Sequence, residues 1–209
     1  KNHFKSNAII TDIAGVKSKL YQNTPKELLP QKGTNAIFIP GHPMAGGEKE
    51  GFLNADKNYF INRNYILLPF ENTPIEKITY LEKLIYDMGF KRIIKTTAQN
   101  HDHKIAFTSQ LCHVIASCLV ESAEDTNITE FGGGSFEDLT RIAMINAPLW
   151  TELFLTNKEE LIHHIENFES SLCKIKSFIK NEEDENLKNT ICNVKLSKIE
   201  QQICAAIFQ

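Results

Sequence analysis

The 209-residue sequence lacks most of the patterns that would assign a protein to a class at once. No stretch is apolar for long enough to span a bilayer, and the amino terminus carries no signal-peptide pattern. Basic residues are not in excess, because 23 Lys and Arg stand against 26 Asp and Glu and give a net charge of −3. We therefore expect a cytoplasmic protein that binds neither membranes nor nucleic acid and that holds small anionic ligands by individual residues.

Cysteine and metal-binding motifs are also missing. The five cysteines are odd in number and widely spaced, and no CxxC occurs among them. Free thiols, buried in a protein of the reducing cytoplasm, are the expectation. No HExxH occurs either, and His101 and His103 would diverge on a helix, so we expect no metal site.

The apolar segments predict different architectures for the two halves of the chain. Over residues 1–98, short β-branched runs alternate with a helical pattern, which is typical of a parallel sheet. The predicted strands cover residues 8–10, 35–40, 65–68 and 92–95. Over residues 99–209 the pattern is all-helical, with one long helix at 101–121 and a carboxy-terminal apolar seam that would bury against a partner helix. We predict an α/β domain followed by an all-α domain, with these boundaries.

Polar residues follow two of the predicted strands. The segment GHPMAGGE at residues 41–48 places His42 just past the end of the second strand, where open α/β sheets locate their chemistry. Its neighbours Gly41 and Pro43 fit either a close approach to a ligand or a tight connection with an incidental histidine. Asp12 follows the first strand, where it would either anchor the next loop through backbone N–H groups or contact a ligand.

Further polar side chains fall in the helical half. Ser109 and His113 are four residues apart and share one face of the predicted helix. The planar guanidinium of Arg141 can bind a carboxylate through two hydrogen bonds, and Trp150 would line the pocket of a ring-shaped substrate. Interpretations without a binding role stay open: His113 could be a core histidine whose ring nitrogens are hydrogen-bonded, and Trp150 could only pack in the core. Arg141 has the spacing to pair with Asp138 on the helix surface.

With these residues in view, the chain resembles the prephenate dehydrogenase family of tyrosine biosynthesis, which includes the arogenate and cyclohexadienyl dehydrogenases. The matching motifs stand in the family's order and spacing and cover nearly the whole chain. They are TDIAGVK at residues 11–17, GHPMAG at 41–46, HD at 101–102 followed by TSQLCH at 108–113, and GGSFEDLTR at 133–141 leading through Trp150 to Asn157. Each motif is weak alone, whereas the ordered set is highly specific.

The resemblance implies an NAD(P)-dependent oxidative decarboxylation of prephenate to 4-hydroxyphenylpyruvate, with arogenate as the alternative substrate. His42 would be catalytic and accept the proton of the ring hydroxyl. Arg141 would bind a substrate carboxylate and belong to the catalytic set. The remaining substrate-binding residues implied are Ser109, His113, Gly134 and Trp150. An intertwined homodimer of the helical domain is implied as well, with Gly134 near the neighbouring subunit's site.

The resemblance also locates the cofactor. It implies cofactor contacts from Asp12, Gly15, His42 and Pro43, with NAD expected and NADP left open. The family usually carries a serine where Gly15 stands, a side chain thought to touch both the histidine and the nicotinamide. Losing that hydroxyl would leave His42 less well oriented, or oriented by water.

One part of the family pattern is not found in the sequence. The family begins with a βαβ unit that bears a glycine-rich dinucleotide loop, whereas no GxGxxG follows a strand here and the chain starts at Lys1 without a methionine. We interpret the sequence as a fragment that holds part of a Rossmann-like domain and the helical dimerisation domain. The 209-residue chain alone is expected to bind the cofactor weakly and to turn over little prephenate.

Two functions of other classes stay open at this point. One is a non-catalytic helical dimerisation or regulatory module with a vestigial sheet. The other is a dehydrogenase of simpler hydroxy acids, like the 3-hydroxyacid dehydrogenases. Substituting His42 separates the first from an enzyme, and a comparison of substrates separates the second.

Overall fold

The computed structural model describes residues 4–30, 36–47 and 51–207. The strands, in chain order, are β1 (Ala8–Ile10), β2 (Ala36–Phe38), β3 (Gly41–Pro43), β4 (Asn64–Leu67) and β5 (Arg92–Lys95). The helices are α1 (Ser18–Gln22), α2 (Ile75–Asp87), α3 (Ala98–Ile105), α4 (Leu111–Glu121), α5 (Gly134–Thr140), α6 (Ala147–Thr156), α7 (Lys158–Lys180) and α8 (Asp184–Ile207). A π-helical turn at Ala106–Gln110 joins α3 to α4, and a 3₁₀ turn at Arg141–Ala143 follows α5.

The strands form two sheets. β1 pairs with β2 in parallel, with Ile9 opposite Ile37, and β4 pairs with β5 in parallel, with Ile66 opposite Ile94. These pairs confirm the predicted parallel sheet. The segment around His42 differs from the expected loop, because it forms β3 and pairs antiparallel with β4, with His42 opposite Ile66. The backbone of β3 pairs with the N–H and C=O groups of β4 on the side away from β5, which would otherwise have no partner strand.

The core of the α/β part lies between the strands and α2. Ile78, Leu81 and Ile85 recur at helical spacing and are buried. The other members of this core are Ile37, Ile39, Tyr65, Leu67 and Phe90. Leu84 and Met88, which have the same spacing, are 49% and 38% exposed, so the buried face of α2 is narrower than the sequence pattern indicates.

The helix predicted over residues 101–121 is interrupted by the π-helical turn. A π turn holds more residues than an α turn and therefore rotates the faces that follow it. Phe107 and Cys118, which the α-helical pattern assigns to the apolar face, are exposed. Gln110, which that pattern leaves unremarked, is 2% exposed.

All five cysteines are free, as expected, but the expectation that they are buried is wrong. They lie on α4, α7 and α8, and each is exposed. Apolar residues next to a cysteine in sequence lie on other faces of the same helix, so they do not indicate burial of the thiol.

The chain divides into two compact units, Lys1–Leu161 and Ile162–Gln209. The first contains the strands together with α1 to α6, and the second contains most of α7 and all of α8. The domain boundary predicted after residue 98 stays a prediction. Among the described residues, no helix has both the length and the apolar character needed to cross a membrane.

Candidate active site

Two charged side chains tie the loop after β1 to the start of β3. Asp12 Oδ2 accepts a hydrogen bond from the backbone N–H of Ala14 at 2.8 Å, and Oδ1 accepts one from the N–H of Gly41 at 3.1 Å. Lys17 Nζ pairs with the Asp12 carboxylate and donates to the carbonyl oxygen of Gly41. Asp12 therefore makes the anchoring contacts that a strand-end aspartate commonly makes, and both backbone polar groups of Gly41 are held.

The Lys17 side chain is fully buried. Burial lowers the pKa of Lys17, and the adjacent Asp12 carboxylate acts in the opposite direction. Sequence reasoning gave this residue no role, because a lysine five positions after a strand-end aspartate looks like any surface lysine. Only its position between Asp12 and Gly41 distinguishes it.

His42 is the first member of a chain of three side chains. Its Nδ1 atom lies 2.8 Å from Nε2 of His101, and Nδ1 of His101 lies 2.7 Å from Oδ1 of Asp102. His101 and Asp102 are 1% and 2% exposed, whereas His42 is half-buried. β3 positions the first residue and α3 positions the other two, 59 residues later in the sequence.

Asp102 also binds the start of α1. Its Oδ1 accepts a hydrogen bond from the backbone N–H of Lys17 at 2.8 Å, and its Oδ2 accepts one from that of Ser18 at 2.7 Å. Burial by itself would raise the pKa of Asp102, but the hydrogen bonds from His101, Ser18 and Lys17 outweigh it and hold this pKa below its usual value. The side chain is therefore a carboxylate near neutral pH.

The environment of His42 disfavours its charged form. Burial lowers its pKa to about 4, the electrostatic effects of His101 and Lys17 act in the same direction, and Asp12 and Asp102 oppose them. At neutral pH the imidazole is uncharged and has one nitrogen that can accept a hydrogen bond. His101 provides a hydrogen-bond partner for this imidazole. The expectation that Gly15 leaves His42 less well oriented, or oriented by water, stays a prediction.

Gly41 is required by a close approach of Tyr65. A β-carbon built on Gly41 would lie 2.5 Å from Tyr65 Oη and 2.8 Å from Cε1, and the Tyr65 ring is 4% exposed and meets Phe90 edge to face. We expect Gly41→Ala to lower the free energy of unfolding by about 1–3 kcal/mol, because the packed ring has to move. Urea unfolding measures this difference.

Gly46 provides the matched control for that variant. A β-carbon built there has no atom within 4 Å, so Gly46→Ala is expected to change the free energy of unfolding by less than about 0.5 kcal/mol. Equal stabilities for the two alanine variants would contradict the packing constraint at Gly41.

Two buried amides brace the helix that carries His101. Asn157 Nδ2 donates to the backbone carbonyl oxygen of Asp102 at 3.0 Å and to Gln110 Oε1 at 2.9 Å. Gln110 Nε2 donates in turn to the carbonyl oxygen of Leu153 at 3.1 Å. The π-helical turn that contains Gln110 is thus tied to the end of α6 by side-chain hydrogen bonds. Both amides lie in or at the end of the matched motifs, but neither was assigned a role from the sequence, because helical spacing does not reveal the π turn that directs Gln110 inward.

A second cluster joins two of the predicted substrate residues, His113 and Trp150, beside the turn that bears a third, Arg141. His113 Nδ1 donates to the backbone carbonyl oxygen of Ile142 at 2.8 Å, and the centroid of its ring lies 3.7 Å from that of Trp150. Arg141 precedes Ile142 in the same 3₁₀ turn, and its side chain is exposed. His113 therefore connects the turn bearing the arginine to the tryptophan on α6.

The remaining predicted site residues lie on these same elements. Ser109 is half-buried within the π-helical turn, and Gly134 is the exposed first residue of α5. Pro43 ends β3 directly after His42. A β-carbon built on Gly15 would lie 3.3 Å from Leu153 Cδ2, and Leu153 is three residues from Trp150 on α6. Helix α6 thus contacts both the loop after β1 and the His113 cluster.

Two family models match consecutive parts of the chain. Residues 1–94 match the model described as prephenate dehydrogenase, nucleotide-binding domain, and residues 97–193 match prephenate dehydrogenase, dimerization domain. The chain belongs to the prephenate dehydrogenase family. The resemblance stated from the motifs is therefore confirmed, and so is the fold expected from it, a Rossmann-like sheet region followed by helices.

Solved structures of the prephenate dehydrogenase family have the same fold. A prephenate dehydrogenase from A. aeolicus in complex with hydroxyphenyl propionate and NAD+ superposes with a TM-score of 0.79 and 31% identity, covering 92% of this chain and 67% of that one. The arogenate dehydrogenase from Synechocystis gives a TM-score of 0.74 and 26% identity, covering 93% and 69%.

Curated sequences agree with these matches. A cyclohexadienyl dehydrogenase from Zymomonas mobilis subsp. mobilis is 33% identical over 189 residues, which are 88% of this chain and 62% of that protein. A prephenate dehydrogenase from Lactococcus lactis subsp. cremoris is 35% identical over 178 residues, which are 82% of this chain and 47% of that protein. The chain thus spans between about half and three fifths of the curated relatives that it matches.

Proposed function

We propose that the protein is a prephenate dehydrogenase, which oxidises and decarboxylates prephenate to 4-hydroxyphenylpyruvate. The observation that carries this proposal is His42, an uncharged histidine held by a buried histidine–carboxylate pair at the edge where β1 and β2 end. Membership of the family supports the same conclusion. A non-catalytic module would have no need of a histidine held in this way.

His42 performs the proton transfer in this proposal. It accepts a hydrogen bond from the ring hydroxyl and takes the proton as the hydride leaves the carbinol carbon. The bond between the ring and its carboxylate then breaks and CO₂ leaves. The electron pair of that bond stays with the ring and makes it aromatic. The proton returns from His42 to the phenol oxygen, so the protein is unchanged at the end of the cycle.

NAD, when bound, supplies the hydride acceptor. The loops after β1 and β2 fit its nicotinamide end, because parallel strands end here at one edge, where α/β sheets bind nucleotides. The contacts of Asp12 and Lys17 with Gly41 fix the backbone of that edge. We propose that Gly15, His42 and Pro43 border the nicotinamide, with Asp12 acting through the loop that it anchors. NAD is preferred over NADP because the A. aeolicus relative was crystallised with NAD+.

Arg141 is proposed to bind a substrate carboxylate. It lies in the turn that His113 connects to Trp150, and these two rings offer an aromatic surface suited to a six-membered ring. Ser109 and Gly134 complete the proposed substrate-binding set. The proposed pocket therefore suits a ring compound that carries a carboxylate.

Arg141→Gln is expected to raise KM for prephenate by about 10- to 100-fold, because a charge-assisted hydrogen bond to the carboxylate is lost. The effect on kcat is expected to be smaller. Steady-state NADH formation measures both constants. Arg63→Gln, an exposed arginine before β4, is the control and is expected to leave KM unchanged. An unchanged KM for Arg141→Gln would remove this residue from the binding site.

A homodimer is proposed through the helical part of the chain. The family model over residues 97–193 is a dimerization domain, and the unit of residues 162–209 exposes large apolar side chains along its helices. They include Ile162, Phe168, Leu172, Ile179, Ile191, Val194, Leu196, Ile199 and Ile203. Sedimentation of the full-length protein is expected to give the mass of a dimer. A cytoplasmic location stays a prediction.

Arogenate is the second candidate substrate, since an arogenate dehydrogenase is among the similar structures. The proposal is tested by incubating the full-length protein with NAD and prephenate, arogenate or a simple 3-hydroxy acid. NADH formation is expected with prephenate and absent with the 3-hydroxy acid. A preference for arogenate would change the substrate within the family, and the absence of NADH with both ring compounds would contradict the enzyme function.

A further inference from the structure

Each hydrogen bond in the His42–His101–Asp102 chain has a donor and an acceptor, and the buried carboxylate of Asp102 determines which atom is which. Both oxygens of Asp102 accept backbone N–H groups, and the carboxylate has no proton to give. Nδ1 of His101, 2.7 Å from Oδ1, must therefore be the donor in that hydrogen bond. Asp102 thus determines which nitrogen of His101 carries a proton.

The same reasoning extends one step further along the chain. A neutral His101 with its proton on Nδ1 presents a lone pair at Nε2. Two lone pairs do not form a hydrogen bond, so Nδ1 of His42, 2.8 Å away, donates its proton to that lone pair. The proton of His42 is then on Nδ1, and Nε2 is left with the lone pair. A charged His101 would reverse this last bond and leave His42 with its proton on Nε2.

We propose that His101 is a positioning residue for His42, backed by Asp102, which holds the His42 imidazole in the tautomer whose Nε2 can accept the substrate proton. The inference rests on the proposed function, since only an acceptor at Nε2 can take the proton of the ring hydroxyl. The bond to His101 also stabilises the imidazolium that forms, as the aspartate does in a serine-protease triad.

This role does not depend on a side chain at position 15. This chain has a glycine there and therefore no hydroxyl that could orient the histidine. The partner that orients His42 is His101, whose ring is buried and held at its other nitrogen. Which nitrogen of a histidine is protonated is set by the hydrogen bond that the other nitrogen makes.

The first test reads the tautomer directly and does not depend on turnover. The full-length protein is labelled with ¹⁵N-histidine and its imidazole resonances are recorded at pH 7, with His42→Asn used to assign those of His42. The expected spectrum has a protonated Nδ1 and an unprotonated Nε2 at His42. A proton on Nε2 of His42 overturns the proposal, whatever the activity of the protein.

The second test removes the nitrogens of His101 but keeps a ring in its place. In His101→Phe, kcat for prephenate is expected to fall by about 10- to 100-fold while KM changes by less than about 3-fold, because substrate contacts are untouched. His101→Gln is expected to recover part of the loss, since its amide oxygen can accept the Nδ1 proton of His42. The control is His103→Gln, which is expected to keep the wild-type kcat. His103 lies two residues further along the same helix and is hydrogen-bonded to Glu160.

The outcomes separate this proposal from the proposed function. A wild-type kcat and an unchanged His42 tautomer in His101→Phe would overturn the positioning role while leaving the enzyme function intact. If circular dichroism shows that His101→Phe does not fold, His101→Gln and the wild-type tautomer decide the matter. An inactive wild-type protein with the proton of His42 on Nδ1 would contradict the enzyme function and support the positioning.

Discussion

The His42→Asn variant of the full-length protein is expected to oxidise prephenate with a kcat about 10³-fold below that of the wild type. General acid–base catalysis by a positioned side chain contributes about 10²- to 10⁴-fold, and asparagine cannot take a proton from the ring hydroxyl. KM is expected to change by less than about 3-fold, because the proposed carboxylate contact at Arg141 is retained. Steady-state NADH formation at saturating NAD measures both constants.

The control for this experiment is a histidine outside the site. His163 is exposed on α7 and bonds to Asn167, so His163→Asn is expected to keep the wild-type kcat. A wild-type kcat in His42→Asn would contradict the catalytic role and favour a module in which the histidine is structural.

The Asp102→Asn variant is expected to lose about 3 kcal/mol of the free energy of unfolding. The carboxylate accepts hydrogen bonds from His101, Lys17 and Ser18, and it is buried. Asparagine has one acceptor oxygen, so in either orientation its NH₂ group meets a backbone N–H, and a buried donor is left without a partner. Hydrogen bonds to a buried charged group contribute about 1.5–3 kcal/mol each. Urea unfolding at pH 7 measures the loss.

The pH dependence of this loss provides an internal check. Because the folded-state pKa of Asp102 is lowered, its stabilisation is complete above the unfolded value of about 3.9 and disappears as the pH falls through the lower folded value. The gap in stability between wild type and Asp102→Asn is therefore expected to narrow below about pH 4. Asp87→Asn, an exposed aspartate at the end of α2, is the control and should change stability by less than about 0.5 kcal/mol. A gap that stays constant from pH 7 to pH 3 would contradict the ionised carboxylate.

The parts of the fold predicted from the sequence are those fixed by local pattern. Short β-branched runs predicted the strands β1, β2, β4 and β5 and a parallel sheet, because buried parallel strands need apolar side chains on both faces. His42 was found because it lies between a glycine and a proline directly after a strand. The antiparallel pairing of β3 was missed, since it depends on a partner strand more than twenty residues away.

The support around His42 depends on contacts that no local pattern indicates. His101 and Asp102 were matched as part of a motif, but their positions on a helix did not relate them to a histidine 59 residues earlier. Lys17 looked like a surface residue until its amine was found between Asp12 and Gly41. Gln110 was missed because the π-helical turn rotates it inward, and helical spacing assumes a constant turn.

The central claim is that the protein removes a hydride from the carbinol carbon of prephenate and couples this to loss of CO₂. The most direct measurement uses prephenate deuterated at that carbon, with NAD and the wild-type full-length protein, and follows the label by mass spectrometry. The account predicts one deuterium in each NADH and one CO₂ released for each NADH formed. NADH without the label, or NADH formed without an equal amount of CO₂, would contradict it.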